Sequence, residues 1–144
     1  MPSTLLYEAV QRTADEQLKP LSGRKAMVII SDGLDNGSRV HMEEVLRAVQ
    51  ATNTIVYGIC YESGFSGCSF LTQMSEPTGG RTFQVKKIPL AKIFQTIEDE
   101  MRGQYALGYV STNRARDGAY RKLQVRVLSK GLKAVARKGY YAAN

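Results

Sequence analysis

The run Ala26-Met-Val-Ile-Ile30 is apolar at every position, and Thr54-Ile-Val-Tyr-Gly-Ile-Cys60 is nearly so. A strand with one wet face alternates apolar and polar residues, whereas an unbroken apolar run belongs to a strand covered on both faces. Between the two runs, Met42, Val45, Leu46 and Val49 recur at i, i+3, i+4 and i+7, the stripe of an amphipathic helix. Two buried strands joined by one helix make a parallel pair with a right-handed crossover. That pattern excludes an all-helical bundle and an all-antiparallel barrel.

The flanking sequence extends the same plan. Leu6, Val10, Ala14 and Leu18 keep helical spacing across residues 5–18, behind a Ser3-Thr4 start suited to capping, until Pro20-Leu-Ser-Gly23 breaks it. A short helix is predicted near Ser69–Glu76, stopped by Pro77 and Gly79-Gly80, with a short strand at Arg81–Val85. Pro89 opens a helix striped by Leu90, Ile93, Phe94, Ile97 and Met101. After Gly103 the period drops to two. Tyr105, Leu107 and Tyr109 alternate, Asn113–Gly118 turns the chain, and Leu123, Val125 and Val127 alternate again. Leu132–Arg137 is predicted as a third strand of this kind. The expected product is a three-layer α/β core over residues 1–103, with parallel core strands. Residues 104–144 form a C-terminal antiparallel β extension packed on the same domain. A chain of 144 residues can bury such a core without metal or disulfide.

Charge is uneven along the chain. Residues 1–113 carry eleven Lys/Arg against twelve Asp/Glu, and residues 114–144 carry nine against one, Asp117. The whole excess behind the net charge of +7 therefore sits in the tail. Its first reading is the solvated face of two strands; the alternative is a nucleic-acid or anionic-surface contact through residues 114–138. No apolar run approaches the ~20 residues of a membrane helix, and the N-terminus has no signal-peptide pattern. Cys60 ends an apolar strand and reads as a small buried hydrophobe; a bridge to Cys68 across the Gly64/Gly67 loop is the alternative in an oxidising compartment.

The segment Ile29-Ile-Ser-Asp-Gly-Leu-Asp-Asn-Gly-Ser38 carries the candidate chemistry. Ligands of parallel sheets bind beyond the carboxyl ends of the strands. Asp32 stands at such an end, and Thr4 opens the preceding helix near the same edge. A carboxylate and a hydroxyl suit a hard cation. Asp35 and Asn36 read first as turn chemistry with a positive-φ Gly37, and second as residues shaping the site. His41 reads as exposed surface or a cap, and Gly79-Gly80-Arg81 as a helix stop before a strand. A strand-end Asp also serves phosphotransfer enzymes, but those folds want further acidic or Lys partners at other strand ends, which the ends near Cys60 and Val85 do not clearly provide apart from Glu62.

Several of these segments resemble one family. Gly23-Arg-Lys-Ala-Met-Val-Ile-Ile-Ser-Asp-Gly33 is similar to the fourth strand of a von Willebrand factor type A domain with its Ser/Thr-Asp-Gly motif. Ser3-Thr4-Leu-Leu-Tyr-Glu-Ala-Val10 is similar to the family's Thr-x-Leu-Tyr-Asp-Ala segment, and Thr78-Gly-Gly-Arg-Thr-Phe83 to the Thr-Gly-Gly before its last core strand. Gln104-Tyr-Ala-Leu-Gly-Tyr109, Arg116-Asp-Gly118 and Arg137-Lys-Gly-Tyr-Tyr-Ala142 resemble the tail of a related subfamily typical of acidobacterial genomes.

The resemblance implies a Rossmann-like fold and a non-enzymatic protein-binding module with a metal-ion-dependent adhesion site. In that family Mg²⁺ or Mn²⁺ is held by an Asp-x-Ser-x-Ser motif, a Thr loop and a later Asp, and an acidic group of a protein ligand completes the shell. Thr4 matches the Thr and Asp32 the later Asp. The chain has no Asp-x-Ser-x-Ser and begins at the Thr loop, so it resembles the C-terminal part of such a domain. The resemblance therefore implies weak or absent metal binding by this chain. It also implies an open apolar edge at residues 26–30 that favours self-association. Relatives are often exported.

Overall fold

The computed structural model describes residues 3–61 and 67–144. The two apolar runs lie side by side as parallel strands β1 (Lys25–Ser31) and β2 (Thr54–Cys60), in register from Lys25 opposite Thr54 to Ser31 opposite Cys60. Helix α2 (Met42–Ala51) makes the crossover between them. Strand β3 (Thr82–Gln84) pairs in parallel with the other side of β2, giving the order β1-β2-β3. The chain is thus mixed α/β, with a three-stranded parallel sheet and, further on, a separate two-stranded antiparallel one.

Side chains of a strand alternate between its faces, and each face has its own helices. Met27, Ile29, Val56 and Cys60 face α1 (Leu6–Arg12), α2 and α3 (Gly67–Ser75), which contribute Val10, Val45, Val49, Phe70, Leu71 and Met74. Tyr7 of α1 stacks on Phe70 of α3 with ring centroids 4.3 Å apart. The opposite face, Tyr57, Ile59 and Phe83, is covered by Ile93 and Ile97 of α4 (Leu90–Arg102). Glu100 of α4 also pairs with Arg81 and accepts a hydrogen bond from Tyr57, whose phenol is pushed up to about 12 by burial and this carboxylate. The first helix does not stay α-helical. From Thr13 to Leu18 it widens to a π-helix, where the Thr13 hydroxyl donates to the Ala9 carbonyl at 2.7 Å. Such back-bonding loosens the ordinary ladder. Ala14 nevertheless stays buried on the predicted stripe.

The predicted stop at Gly79-Gly80 has a packing reason. A Cβ on Gly80 would run into the Val56 carbonyl oxygen, so the chain can pass this close to β2 only without a side chain.

Two expectations need correction. The Cys60 and Cys68 side chains form a disulfide that ties the end of β2 to the first turn of α3. Sequence spacing alone does not distinguish a buried thiol from a bridge; the docking of α3 against β2 brings the two Cα atoms to 5.7 Å, within bridging range. Glu62 and Gly64, in the intervening loop, lie outside the described residues. The extension also differs. Its regular pairing is confined to β4 (Tyr120–Lys122) and β5 (Gly139–Tyr141), antiparallel with Arg121 opposite Tyr140. Segments 105–109, 123–127 and 132–137 are not ladder strands, and Tyr105 and Leu107 are 90% and 80% exposed. Period-two alternation says only that a segment is extended; a strand also needs a neighbour with free backbone groups. The extension still docks on the core. Lys138 N–H donates to the Pro77 carbonyl at 2.9 Å, Arg137 bonds Asn53, and Arg47 of α2 lies 4.7 Å above the Tyr141 ring.

Closing a short loop in the unfolded chain is the main stabilising contribution expected of the bridge. The paired substitutions Cys60→Ala and Cys68→Ala should lower stability by about 2 kcal/mol, read as a lower urea midpoint at little changed slope.

Candidate functional site

The segment after β1 is shaped by a chain of short bonds. Ser31 Oγ accepts the Gly33 N–H at 3.0 Å, and Asp32 Oδ1 accepts the Leu34 N–H at 3.0 Å. Gly33 takes φ +79, the left-handed turn that ends the strand. Gly37, expected to have positive φ, does not. It is small for another reason: a Cβ there would meet Ser3 Cβ at 2.7 Å and Leu5 Cδ2 at 2.8 Å. The turn is pressed against the segment that opens α1.

That contact is a helix cap supplied from a distant part of the chain. Asp35 Oδ2 accepts the Tyr7 N–H at 2.8 Å and the Ser38 hydroxyl at 2.6 Å, while Asp35 Oδ1 accepts the Ser38 N–H at 3.0 Å. Ser38 Oγ in turn accepts the Glu8 N–H at 3.2 Å, and Glu8 Oε1 returns to the Arg39 N–H at 2.9 Å. The first N–H groups of a helix lack partners of their own, and here the loop after β1 satisfies two of them. Leu5 holds the N-cap position and makes no side-chain cap bond, so the predicted Ser3-Thr4 cap is replaced by Asp35 and Ser38. Partial burial raises the Asp35 pKa, but the bonds from Ser38, Tyr7 and Gly37 outweigh it and hold the carboxyl below its ordinary value.

The same docking brings the two predicted ligand segments together. Asn36 Oδ1 accepts the Thr4 N–H at 2.7 Å, and the Asn36 N–H donates to the Thr4 carbonyl at 3.3 Å. Thr4 therefore lies against the turn that Asp32 begins, and both residues are exposed. Asp35, considered as a residue shaping the site, has both oxygens engaged in the cap and sets where Thr4 sits relative to the turn. His41 is exposed and occupies the N-cap position of α2, its carbonyl accepting the Glu44 and Val45 N–H groups at 3.0 and 3.2 Å. Arg81 is engaged by Glu100.

Sequence reasoning passed over Ser31 and Ser38. Ser31 adjoins Asp32 and Ser38 lies three residues after Asp35, positions from which side chains bond the backbone of a turn. Ser31 Oγ lies 3.4 Å from Asp32 Oδ1, so a second hydroxyl accompanies the strand-end carboxylate. Among the described residues no three His, Cys, Asp or Glu side chains converge. What the site offers is the Asp32 carboxylate with the Ser31 hydroxyl beside it, and Thr4 held against the same turn through its backbone. A hard cation wants about six oxygen ligands. This donor set suits a weakly held, mostly hydrated ion and does not suit a tightly chelated one.

The basic tail sits elsewhere. It docks through Asn53, which immediately precedes β2, and through Pro77, so it lies toward the amino ends of the strands. Arg114, Arg116, Lys122, Arg126, Lys130 and Lys133 are exposed, while Arg121 pairs with Asp117 and Lys138 with Glu76. No helix among the described residues is long and apolar enough to cross a membrane.

The fold and site define a three-stranded parallel α/β unit with an acidic turn at a strand's carboxyl end. No family model, curated protein or solved structure matches the chain.

Asp35→Ala should cost about 1 kcal/mol at neutral pH, as the loss of a helix cap does. The wild-type advantage should be full above the ordinary carboxyl value of 3.8 and disappear as pH falls through the lowered folded value. Urea titrations of both proteins across the acid range measure this difference.

Proposed function

We propose that this chain is a non-enzymatic protein-binding module of the von Willebrand factor type A kind, with an incomplete metal-ion-dependent adhesion site. The observation that carries this reading is the docking of the Thr4 segment onto the turn that follows Ser31-Asp32-Gly33. Two segments that resemble the family's ligand loops, 32 residues apart at the Thr4–Asn36 contact, are held together by named hydrogen bonds at a strand's carboxyl end. In this reading Asp32 and Thr4 hold Mg²⁺ or Mn²⁺ weakly, and a carboxylate from a protein partner supplies one of the remaining ligands. The bound cation supplies positive charge that attracts the partner's acidic group. The chain's own residues present two oxygens and keep the turn rigid through the Asp35 cap.

A binding role is favoured over phosphotransfer by the neighbouring strand ends. The end of β2 is Cys60, held in a disulfide, and β3 ends at Gln84. Among the described residues neither of these strand-end side chains is acidic or cationic, the chemistry a phosphoryl site needs beside Asp32. The exposed cations of residues 114–138 support a second reading, contact with nucleic acid or an anionic surface.

Mn²⁺ titration followed by amide NMR tests the first reading. Broadening should centre on Thr4, Gly33 and Leu34, with a dissociation constant on the order of millimolar, and should be abolished in Asp32→Ala. Broadening elsewhere, or equal broadening in the variant, rejects the site. For the second reading, retention on heparin should fall steeply with salt; a flat salt response removes it.

A further inference from the structure

Strand β1 forms one edge of its sheet, and the direction of its free backbone groups can be read from a single bond. The Tyr61 N–H donates to the Ser31 carbonyl, so Ser31 faces β2. By alternation Ile29, Met27 and Lys25 face β2 as well. Ala26, Val28 and Ile30 therefore aim their N–H and C=O groups outward. The same residues carry the side chains that α4 leaves uncovered: Val28 is 37% and Ile30 51% exposed, whereas their sheet neighbours Tyr57 and Ile59 are buried. Edges of this kind are usually guarded by lysine, proline or a bulge. Here no charge or proline interrupts residues 26–30, and Lys25 turns its ammonium onto the Leu18 and Leu21 carbonyls at 3.1 and 2.8 Å.

We propose that a second copy of this chain pairs with β1 antiparallel, about a twofold axis through Val28. In that register Val28 faces the partner's Val28, and Ala26 and Ile30 each face the other in the partner. All three outward residues then exchange both backbone bonds, joining two three-stranded sheets into one. Directly opposed residues share a face, so the exposed Val28 and Ile30 side chains pack across the seam. One step beyond either end, the register sets Arg24 opposite the partner's Asp32. Both residues are exposed and opposite in charge, and strand alternation continued one residue past each end of β1 carries them to the face of Val28. Slipping the register by two residues in either direction loses a bonded pair and parts Arg24 from Asp32. Charge complementarity at both ends and full use of the free backbone groups thus select the same arrangement, and both are properties of pairing with an identical strand.

Sedimentation of the full chain in EDTA tests this without any cation at Asp32. The mass should rise from 15.9 kDa toward twice that value with concentration. Val28→Pro removes an outward N–H that the β2 ladder does not use and should weaken association about tenfold or more. Arg24→Asp and Asp32→Arg should each weaken it several-fold, and the two together should restore it. Register is read independently by oxidation of Val28→Cys. An antiparallel bonded pair lies ~5.5 Å apart at Cα, within disulfide reach, so this variant should cross-link to itself. Ile30→Cys should cross-link only with Ala26→Cys. A monomer at every concentration overturns the proposal. So does a dimer that ignores Val28→Pro and the charge exchange, or one whose Val28→Cys form does not cross-link.

Discussion

Strand β2 is the member of the sheet with a paired strand on each side and a helical layer on each face. Its residues from Val56 to Cys60 are all buried. A strand in that position cannot leave a backbone group unpaired, because water does not reach it to substitute. Much of the architecture follows from satisfying that one segment. Gly80 is small so that the chain can pass the Val56 carbonyl, the Thr78 hydroxyl oxygen accepts the Val56 N–H at 2.9 Å, and the disulfide pins α3 over its last residue. β1 is committed to β2 on one side only. That asymmetry makes one strand a core element and its neighbour an edge.

The parallel core was legible because its cues are local. An unbroken apolar run implies two covered faces, and a 3.6-residue stripe between two such runs implies the crossover. The extension was not legible in the same way. Tyr105, Leu107 and Tyr109 alternate as a strand should, but alternation carries no information on which backbone lies alongside. The disulfide stood only as the alternative to a buried thiol for the same reason, since it depends on how α3 docks. At the site, the positions of Thr4 and Asp32 were legible as strand-end and helix-start residues. The cap by Asp35 and Ser38 was not, since nothing in the sequence near residue 35 indicates that its carboxylate serves a helix starting at residue 6. Gly37 shows the limit most directly. A glycine in an Asn-Gly pair suggests a positive φ, and the actual requirement is room for Ser3 and Leu5.

The cap changes how the candidate site is understood. In an isolated turn, Asp32 and Asp35 are equivalent acidic residues near a strand end. In the folded chain they are opposites. Asp35 is spent on hydrogen bonds that hold its charge in place, and its role is to fix geometry. Asp32 accepts from its own turn and stays exposed, so its charge is available to something outside the chain. The tail is anchored through Arg137 and Lys138, toward the amino ends of the strands.

Under the two proposals, however, the cation and the second copy share a residue. A divalent ion on Asp32 needs the lone pairs of a carboxylate that, across the β1 seam, would face the partner's Arg24. Coordination would also place positive charge opposite a guanidinium, where like charges repel. Because binding free energies are linked, whatever factor the ion takes from dimerisation, dimerisation takes from the ion. The coupling need not be large. An exposed charge pair contributes under about 1 kcal/mol, but a twofold dimer contains the pair twice, and a weakly held ion has little free energy to spare. Asp32 would then act less as half of a metal site than as a selector between two partners. One partner completes the coordination of an ion, and the other completes the edge of a sheet.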